Sequence, residues 1–124
     1  MKPEALFEKD LGKLAPHFGC EYIKIPDIIP LKKYGKLIAH KRPFDAILVT
    51  PKTNYLIECK IDYGKLKPHQ TAYMERVNEI NGTFVVLRRI FLTKKIKYRM
   101  ELVDGIFETE DIRDIFIKLK GVEL

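Results

Sequence analysis

Tryptophan is absent from these 124 residues, cysteine occurs twice, and no apolar run approaches the ~20 residues a membrane-spanning helix needs. The short apolar runs exclude a helical membrane protein. Cys20 and Cys59 lie far apart, and neither has a Cys or His neighbour at zinc-ligand spacing. A structural zinc site and a disulfide framework are therefore both excluded. Cys59 falls in an apolar strand and is expected as a buried free thiol. The opening Met1-Lys2-Pro3-Glu4 lacks the apolar core of a signal peptide. Together these absences predict an intracellular, cytoplasmic setting and no membrane partner. Internal repeats and low-complexity tracts are also lacking, and the length predicts a single domain over residues 1–124.

What is present is apolar residue and positive charge. Apolar residues make up 46%, enough for a core, and 23 Lys and Arg stand against 17 Asp and Glu, a net charge of +6. That balance favours acidic partners, nucleic acid first among them. The basic residues are not spread evenly. Lys32, Lys33, Lys36, Lys41 and Arg42 follow one another with no acid among them. A second group, Arg88, Arg89, Lys94, Lys95, Lys97 and Arg99, reads more simply as a solvated surface.

Pro3 to about Phe18 has the pattern of a helix. Phe7, Leu11, Leu14 and Phe18 form one apolar stripe, and Pro16 predicts that the helix stops before Phe18. Residues 22–43, broken by Pro26, Pro30, Gly35 and Pro43, read as a loop with short strands around Tyr22–Ile25 and Lys36–Ala39. Phe44–Thr50 and Tyr55–Lys60 are strands joined by a turn at Pro51-Lys52-Thr53-Asn54, a hairpin apolar on both faces and so central in its sheet. A helix is expected from Pro68 to about Ile80, with an apolar stripe of Tyr73, Val77 and Ile80, and a buried strand over Thr83–Leu87. Ile90–Leu92 continues the sheet or starts a shorter strand, and Lys94–Val103 reads as an edge strand. Thr109 is expected to cap a last helix with the stripe Ile112, Ile115, Phe116 and Leu119, ended by Gly121. The order predicts a mixed α/β domain with helices packed on a central sheet.

The hairpin carries the chemistry. Folding back at Pro51–Lys52 brings Asp45 opposite Glu58, and Glu58 and Lys60, two apart on one strand, share a face. Two adjacent carboxylates repel unless a cation sits between them. A divalent metal satisfies both; Mg²⁺ takes one or two protein carboxylates and completes its shell with water and phosphate oxygen. A nearby lysine steadies the attacking water or the developing oxyanion. These are the parts of a phosphodiester hydrolase. An alternative Pro-Asp at Pro26-Asp27 lies in the proline-broken stretch with no hairpin after it, and Asp27 reads as a turn residue.

Pro43-Phe44-Asp45, twelve residues, then Glu58-Cys59-Lys60 resembles the PD-(D/E)XK signature of restriction-endonuclease-like nucleases. The helix–hairpin–helix–strand order resembles the family core as well. The resemblance implies an α-β-β-β-α-β core, a mixed central sheet flanked by helices. Phe7-Glu8-Lys9-Asp10-Leu11 is similar to a first-helix segment of the Holliday-junction resolvases in this superfamily, which makes Glu8 a third metal carboxylate beside Asp45 and Glu58, with Glu4 one turn earlier as the fallback. His69-Gln70-Thr71-Ala72-Tyr73 resembles the stretch that follows the Glu-x-Lys motif in such members and makes Gln70 a hydrogen-bonding member of the site.

The implied function is a Mg²⁺-dependent DNA endonuclease, with Mn²⁺ able to stand in, acting on duplex or branched DNA, with resolution of four-way junctions by a homodimer as its narrower form. Ile90–Leu92 and the last helix are the candidate dimer surfaces. Lys32, Lys33, Lys36, Lys41, Arg42, Lys65 and Lys67 are the expected phosphate contacts, and Tyr34 and Tyr63 the expected stacking platforms. The alternatives are a non-catalytic basic nucleic-acid-binding module of the same fold and a nuclease acting on RNA.

Overall fold

A computed structural model describes residues 1–26, 28–33, 36–41, 44–80 and 82–121, with residues 28–33 and 36–41 described by their backbone alone. Asp27, Tyr34, Arg42 and Pro43 lie outside the described residues, as do the side chains of Lys32, Lys33, Lys36 and Lys41.

The chain opens with helix α1 (Pro3–Leu14), which tightens into a 3-10 turn over Ala15–Phe18. Pro3 sits in the first turn, where its missing N–H costs nothing. Gly19, with φ of 69°, ends the turn in the left-handed region that glycine reaches without strain. Then come β1 (Glu21–Lys24), β2 (Ile28–Lys33), β3 (Lys36–Lys41), β4 (Ala46–Val49) and β5 (Asn54–Ile61). Helix α2 (Pro68–Glu79) crosses over to β6 (Phe84–Phe91), followed by β7 (Ile96–Leu102), β8 (Gly105–Thr109) and helix α3 (Arg113–Leu119).

Six strands form one sheet in the order β1-β4-β5-β6-β7-β8. Among the described residues only the β5–β6 pair is parallel, as the α2 crossover requires. The short strands expected around Tyr22–Ile25 and Lys36–Ala39 appear as β1 and β3. Ile28–Lys33 is a strand where a loop was expected, and it pairs antiparallel with β3, from Ile28 opposite Lys41 to Lys33 opposite Lys36.

Alternation sorts the strands onto two faces. Ala46, Leu48, Ile57, Cys59, Val85, Leu87 and Met100 pack against Phe7 and Leu11 of α1 and Ile115, Phe116 and Leu119 of α3. The opposite face is smaller: Phe44, Phe84 and Val86 pack with Val77 and Tyr73 of α2. Arg89 ties α1 to the sheet. Its guanidinium lies 5.0 Å from the Phe7 ring centre and 5.4 Å from that of Tyr98, and it donates to Asp10 Oδ2 at 2.7 Å.

Four further expectations are corrected. Lys94–Val103 holds a strand, but β8 pairs along it, so β7 is not the edge. Thr109 closes β8 rather than capping α3, whose N-cap is Ile112; its hydroxyl instead accepts from the Asp111 N–H at 3.1 Å in the turn ahead of the helix. Ile80 leaves the α2 stripe and is 80% exposed. Of the candidate dimer surfaces, Ile90–Leu92 is only partly available, since Ile90 is buried in the sheet while Phe91 and Leu92 are exposed, and the apolar stripe of α3 packs into the core.

Candidate metal-dependent active site

The β4–β5 turn fixes the register on which everything else depends. The Thr50 N–H donates to Thr53 O at 3.0 Å, and the Thr50 hydroxyl accepts from the Lys52 and Thr53 N–H groups at 3.2 and 3.0 Å. Val49 then pairs Asn54 and Ala46 pairs Ile57, so one step further Asp45 stands opposite Glu58. The Asp45 backbone is held on both sides: its N–H donates to Ile57 O at 2.8 Å, and its carbonyl accepts from the Ile25 N–H at 2.8 Å. Its carboxylate Oδ2 accepts from the Cys59 N–H at 2.7 Å. Asp45 is 2% exposed and Glu58 1%.

Glu58 Oε2 accepts from Gln70 Nε2 at 2.6 Å and lies 3.4 Å from Lys60 Nζ. The Gln70 amide is itself oriented, because its Oε1 accepts from the Lys67 N–H at 2.9 Å as part of the α2 N-terminal cap. Asp45, Glu58, Lys60 and Gln70 are thus brought together. Glu58 Oε1 is different: it is buried and has no hydrogen-bond partner. An unpaired carboxylate oxygen away from water is costly, and a cation is the partner that suits it.

Helix α1 presents two glutamates here. Carboxylate oxygens of Glu4, Asp45 and Glu58 lie within 4.8 Å of one another. Glu8 sits one turn on, where an oxygen of its carboxylate, one of Asp45 and the Cys59 sulfur satisfy the same limit. Glu8 is buried, accepting from the Tyr22 hydroxyl at 2.8 Å and lying 3.5 Å from Lys24 Nζ. Tyr22 and Lys24 carried no functional signal in the sequence beyond their alternation on β1. Burial pushes the Tyr22 hydroxyl and the Cys59 thiol up, so both hold their protons.

Burial, then the adjacent Asp45 charge, push the Glu58 carboxyl up to about 8, with Lys60 acting in the opposite sense. In the absence of metal, the folded protein therefore holds a proton that the unfolded chain, at the ordinary value of 4.5, releases. Its contribution to stability is complete below that value and is lost as pH rises toward about 8. The melting temperature of metal-free protein is expected to fall between pH 5 and pH 8 relative to Glu58→Gln, in which this group cannot titrate. Parallel melting curves for the two proteins would contradict this.

Lys65 and Lys67 are exposed in the loop between Lys60 and α2. Arg88, assigned to a solvated surface from its charge, is buried and braces that loop. It pairs with Glu101 and donates to the carbonyls of Asp62, at 3.2 Å, and Gly64, at 2.6 Å. Lys95 pairs with Glu110, and Lys97 and Arg99 both pair with Glu108, so most of the second basic group is occupied within the chain. The guanidinium of Arg99 also lies 5.1 Å from the ring centre of the exposed Tyr63.

The fold has a counterpart among solved structures. The chain is similar to Hjc of Archaeoglobus fulgidus, a Holliday junction resolvase from an archaeal hyperthermophile, with a TM-score of 0.58, 13% identity and 99% of each chain covered. The likeness is one of fold: a mixed six-stranded sheet with helices packed on it. No protein-family model matches the chain, and no curated protein does. At this identity the likeness fixes the arrangement of strands and helices that carry Asp45, Glu58 and Lys60. Among the described residues, no helix is long and apolar enough to cross a membrane.

Proposed function

We propose that this protein is a metal-dependent endonuclease that hydrolyses phosphodiester bonds in DNA. The observation that carries the reading is the buried, unpartnered Oε1 of Glu58 beside a second buried carboxylate, that of Asp45. An all-oxygen donor set of this kind fits Mg²⁺, with Mn²⁺ as a substitute. Asp45 and Glu58 would hold the ion, with a carboxylate of α1 beside them. When bound, the ion lowers the pKa of a coordinated water and neutralises charge developing on the phosphate.

The chain's own groups do the rest. Lys60, held against Glu58, is placed to steady the attacking water or the phosphate oxygen that gains charge. Gln70 fixes the Glu58 carboxylate from the other side, which leaves Oε1 for the ion. Lys65 and Lys67, exposed beside the site, supply phosphate contacts, joined by Lys32, Lys33, Lys36, Lys41 and Arg42 of the preceding segment.

The full-length likeness to a Holliday junction resolvase favours branched DNA as substrate, and two symmetric incisions favour a homodimer. The test is a panel of four-way junction, linear duplex, single-stranded DNA and RNA with Mg²⁺, Mn²⁺ or EDTA. Paired symmetric nicks in the junction, dependent on metal, are expected. Cleavage that persists in EDTA, or cleavage of RNA alone, contradicts the proposal.

A further inference from the structure

We infer that Arg88 is a positioning residue for DNA: from the sheet face beside Lys60 it holds the turn at Asp62–Gly64 on a fixed course, so that Lys65 and Lys67 stand where the phosphates of a bound strand pass. The inference rests on the nucleic-acid reading above and adds to it a residue that touches neither metal nor phosphate.

Register places Arg88. On β6 it is the strand partner of Lys60 on β5, and Arg99 on β7 is the partner of Arg88. Partners on neighbouring strands share a face, so these three cations form a row on the face that carries Glu58. Like charges directly opposite repel unless they are neutralised. Glutamates do this, Glu101 for Arg88 and Glu108 for Arg99. Arg88 is only 8% exposed, which withdraws it from direct phosphate contact. While its Nε is held by Glu101, its Nη1 donates to the Asp62 carbonyl at 3.2 Å and the Gly64 carbonyl at 2.6 Å. A guanidinium fork can serve a carboxylate and two carbonyls at once in fixed geometry; an ammonium is a point charge.

The turn needs such a hold. Asp62 has φ of 50°, in the left-handed region that is strained for a residue with a Cβ, although Asp tolerates it better than most. Asp62 is tied to β6 at three points. Its N–H donates to Arg89 O at 2.9 Å, its Oδ1 accepts from the Phe91 N–H at 2.9 Å, and its carbonyl accepts from Arg88. Tyr63, next along, lies against the Arg99 guanidinium. Past Gly64, the half-buried Leu66 packs on the smaller core cluster, while Lys65 and Lys67 on either side of it are exposed. The Lys67 N–H is then bound by Gln70, which reaches Glu58. The segment is thus pinned at both ends, and its two lysines project between the pins.

The test is fluorescence anisotropy of the full chain with a labelled four-way junction in EDTA, where cutting is stopped, over a range of salt concentrations. The variant combines Arg88→Met with Glu101→Gln, which leaves no charge of the pair unmatched. Its DNA affinity is expected to fall about tenfold and its salt dependence to flatten, with the slope of log K against log salt smaller by about 1–2, since each lost phosphate contact removes about 0.9. Calorimetric Mn²⁺ affinity should stay within about threefold of wild type, because strand pairing and not the loop carries Asp45 and Glu58. If that variant is unfolded, Arg88→Lys takes its place, keeping the charge opposite Glu101 but not the fork, with an expected loss of about threefold or more and a flatter slope. In a chain already carrying Lys65→Ala and Lys67→Ala, the Arg88 change should cost less than about twofold more, as effects passed through shared partners do not add. Wild-type DNA affinity and salt slope in a folded Arg88 variant overturn the inference. So does an undiminished loss in the chain without the two lysines, or a Mn²⁺ affinity that falls along with DNA binding. A wild-type protein that binds no DNA overturns the nucleic-acid reading itself.

Discussion

Asp45→Asn is expected to lower metal-dependent cleavage of DNA by about a thousandfold, while DNA binding and the fold persist. The size follows from what is removed. A metal contributes several kcal/mol to stabilising charge in the transition state, and each ~1.4 kcal/mol is tenfold in rate. Asparagine keeps the shape of the side chain, and its carbonyl oxygen can still accept from the Cys59 N–H that Asp45 Oδ2 now engages. What it loses is the negative charge beside Glu58. That loss has a second consequence of opposite sign. Asp45 is one of the groups that raise the Glu58 carboxyl, so its neutralisation relieves a repulsion buried in the metal-free protein. The variant should therefore melt no lower than wild type without metal, and gain less than wild type when Mg²⁺ is added. Lys60→Ala should also bind and fail to cut, with a loss of about a hundredfold, the scale of removing one oxyanion-stabilising donor. Single-turnover cleavage and gel-shift assays separate chemistry from binding. Near-wild-type cutting by both variants would remove the chemistry from this hairpin.

Phe116→Ala is expected to destabilise the protein by about 3–5 kcal/mol, the range for deleting a fully buried aromatic ring. Phe116 is 0% exposed and stacks on Phe18, with ring centres 5.2 Å apart and planes 7° from parallel. It belongs to the cluster in which α1 and α3 cover one face of the sheet, so its loss opens a cavity between two helices and the strands beneath. Small domains have only about 5–15 kcal/mol in total, so the variant should melt roughly 10–20 °C lower. Because α1 carries Glu4 and Glu8, metal affinity at temperatures where the variant is folded reports whether α1 keeps its seat. A change below about 1 kcal/mol in denaturant unfolding would show that α3 is not part of the cooperative core.

The residues of the site were more legible than the frame around them. Asp45, Glu58 and Lys60 could be placed together because two apolar runs flank a short proline-containing turn and strand alternation is strict; the register, which a one-residue slip would have changed, is fixed only by the turn geometry. The helix from Pro68 was legible from its proline and from the Asn81-Gly82 stop. The strand Ile28–Lys33 was hidden by Pro30, which argues against a strand when read locally, although its partner around Lys36–Ala39 was expected. The last strand, Gly105–Thr109, is short and mostly exposed, with Ile106 turned to solvent, so it has no clear apolar alternation. Missing it turned an interior strand into a supposed edge. Arg88 looked like surface because charge is the only local signal it gives; its burial comes from Glu101 on the neighbouring strand and two loop carbonyls. Glu8 was preferred to Glu4 only on the resemblance, since one helical face carries both, and a carboxylate oxygen of each lies within 4.8 Å of one on Asp45.

The most direct measurement of the central claim is anomalous diffraction at the manganese edge from crystals soaked in Mn²⁺. The account predicts one peak about 2.1–2.2 Å from an Asp45 carboxylate oxygen and from Glu58 Oε1, the oxygen that has no partner in the protein. A soaked crystal with no peak there, or with manganese bound only at sites that exclude Asp45 and Glu58, would contradict it.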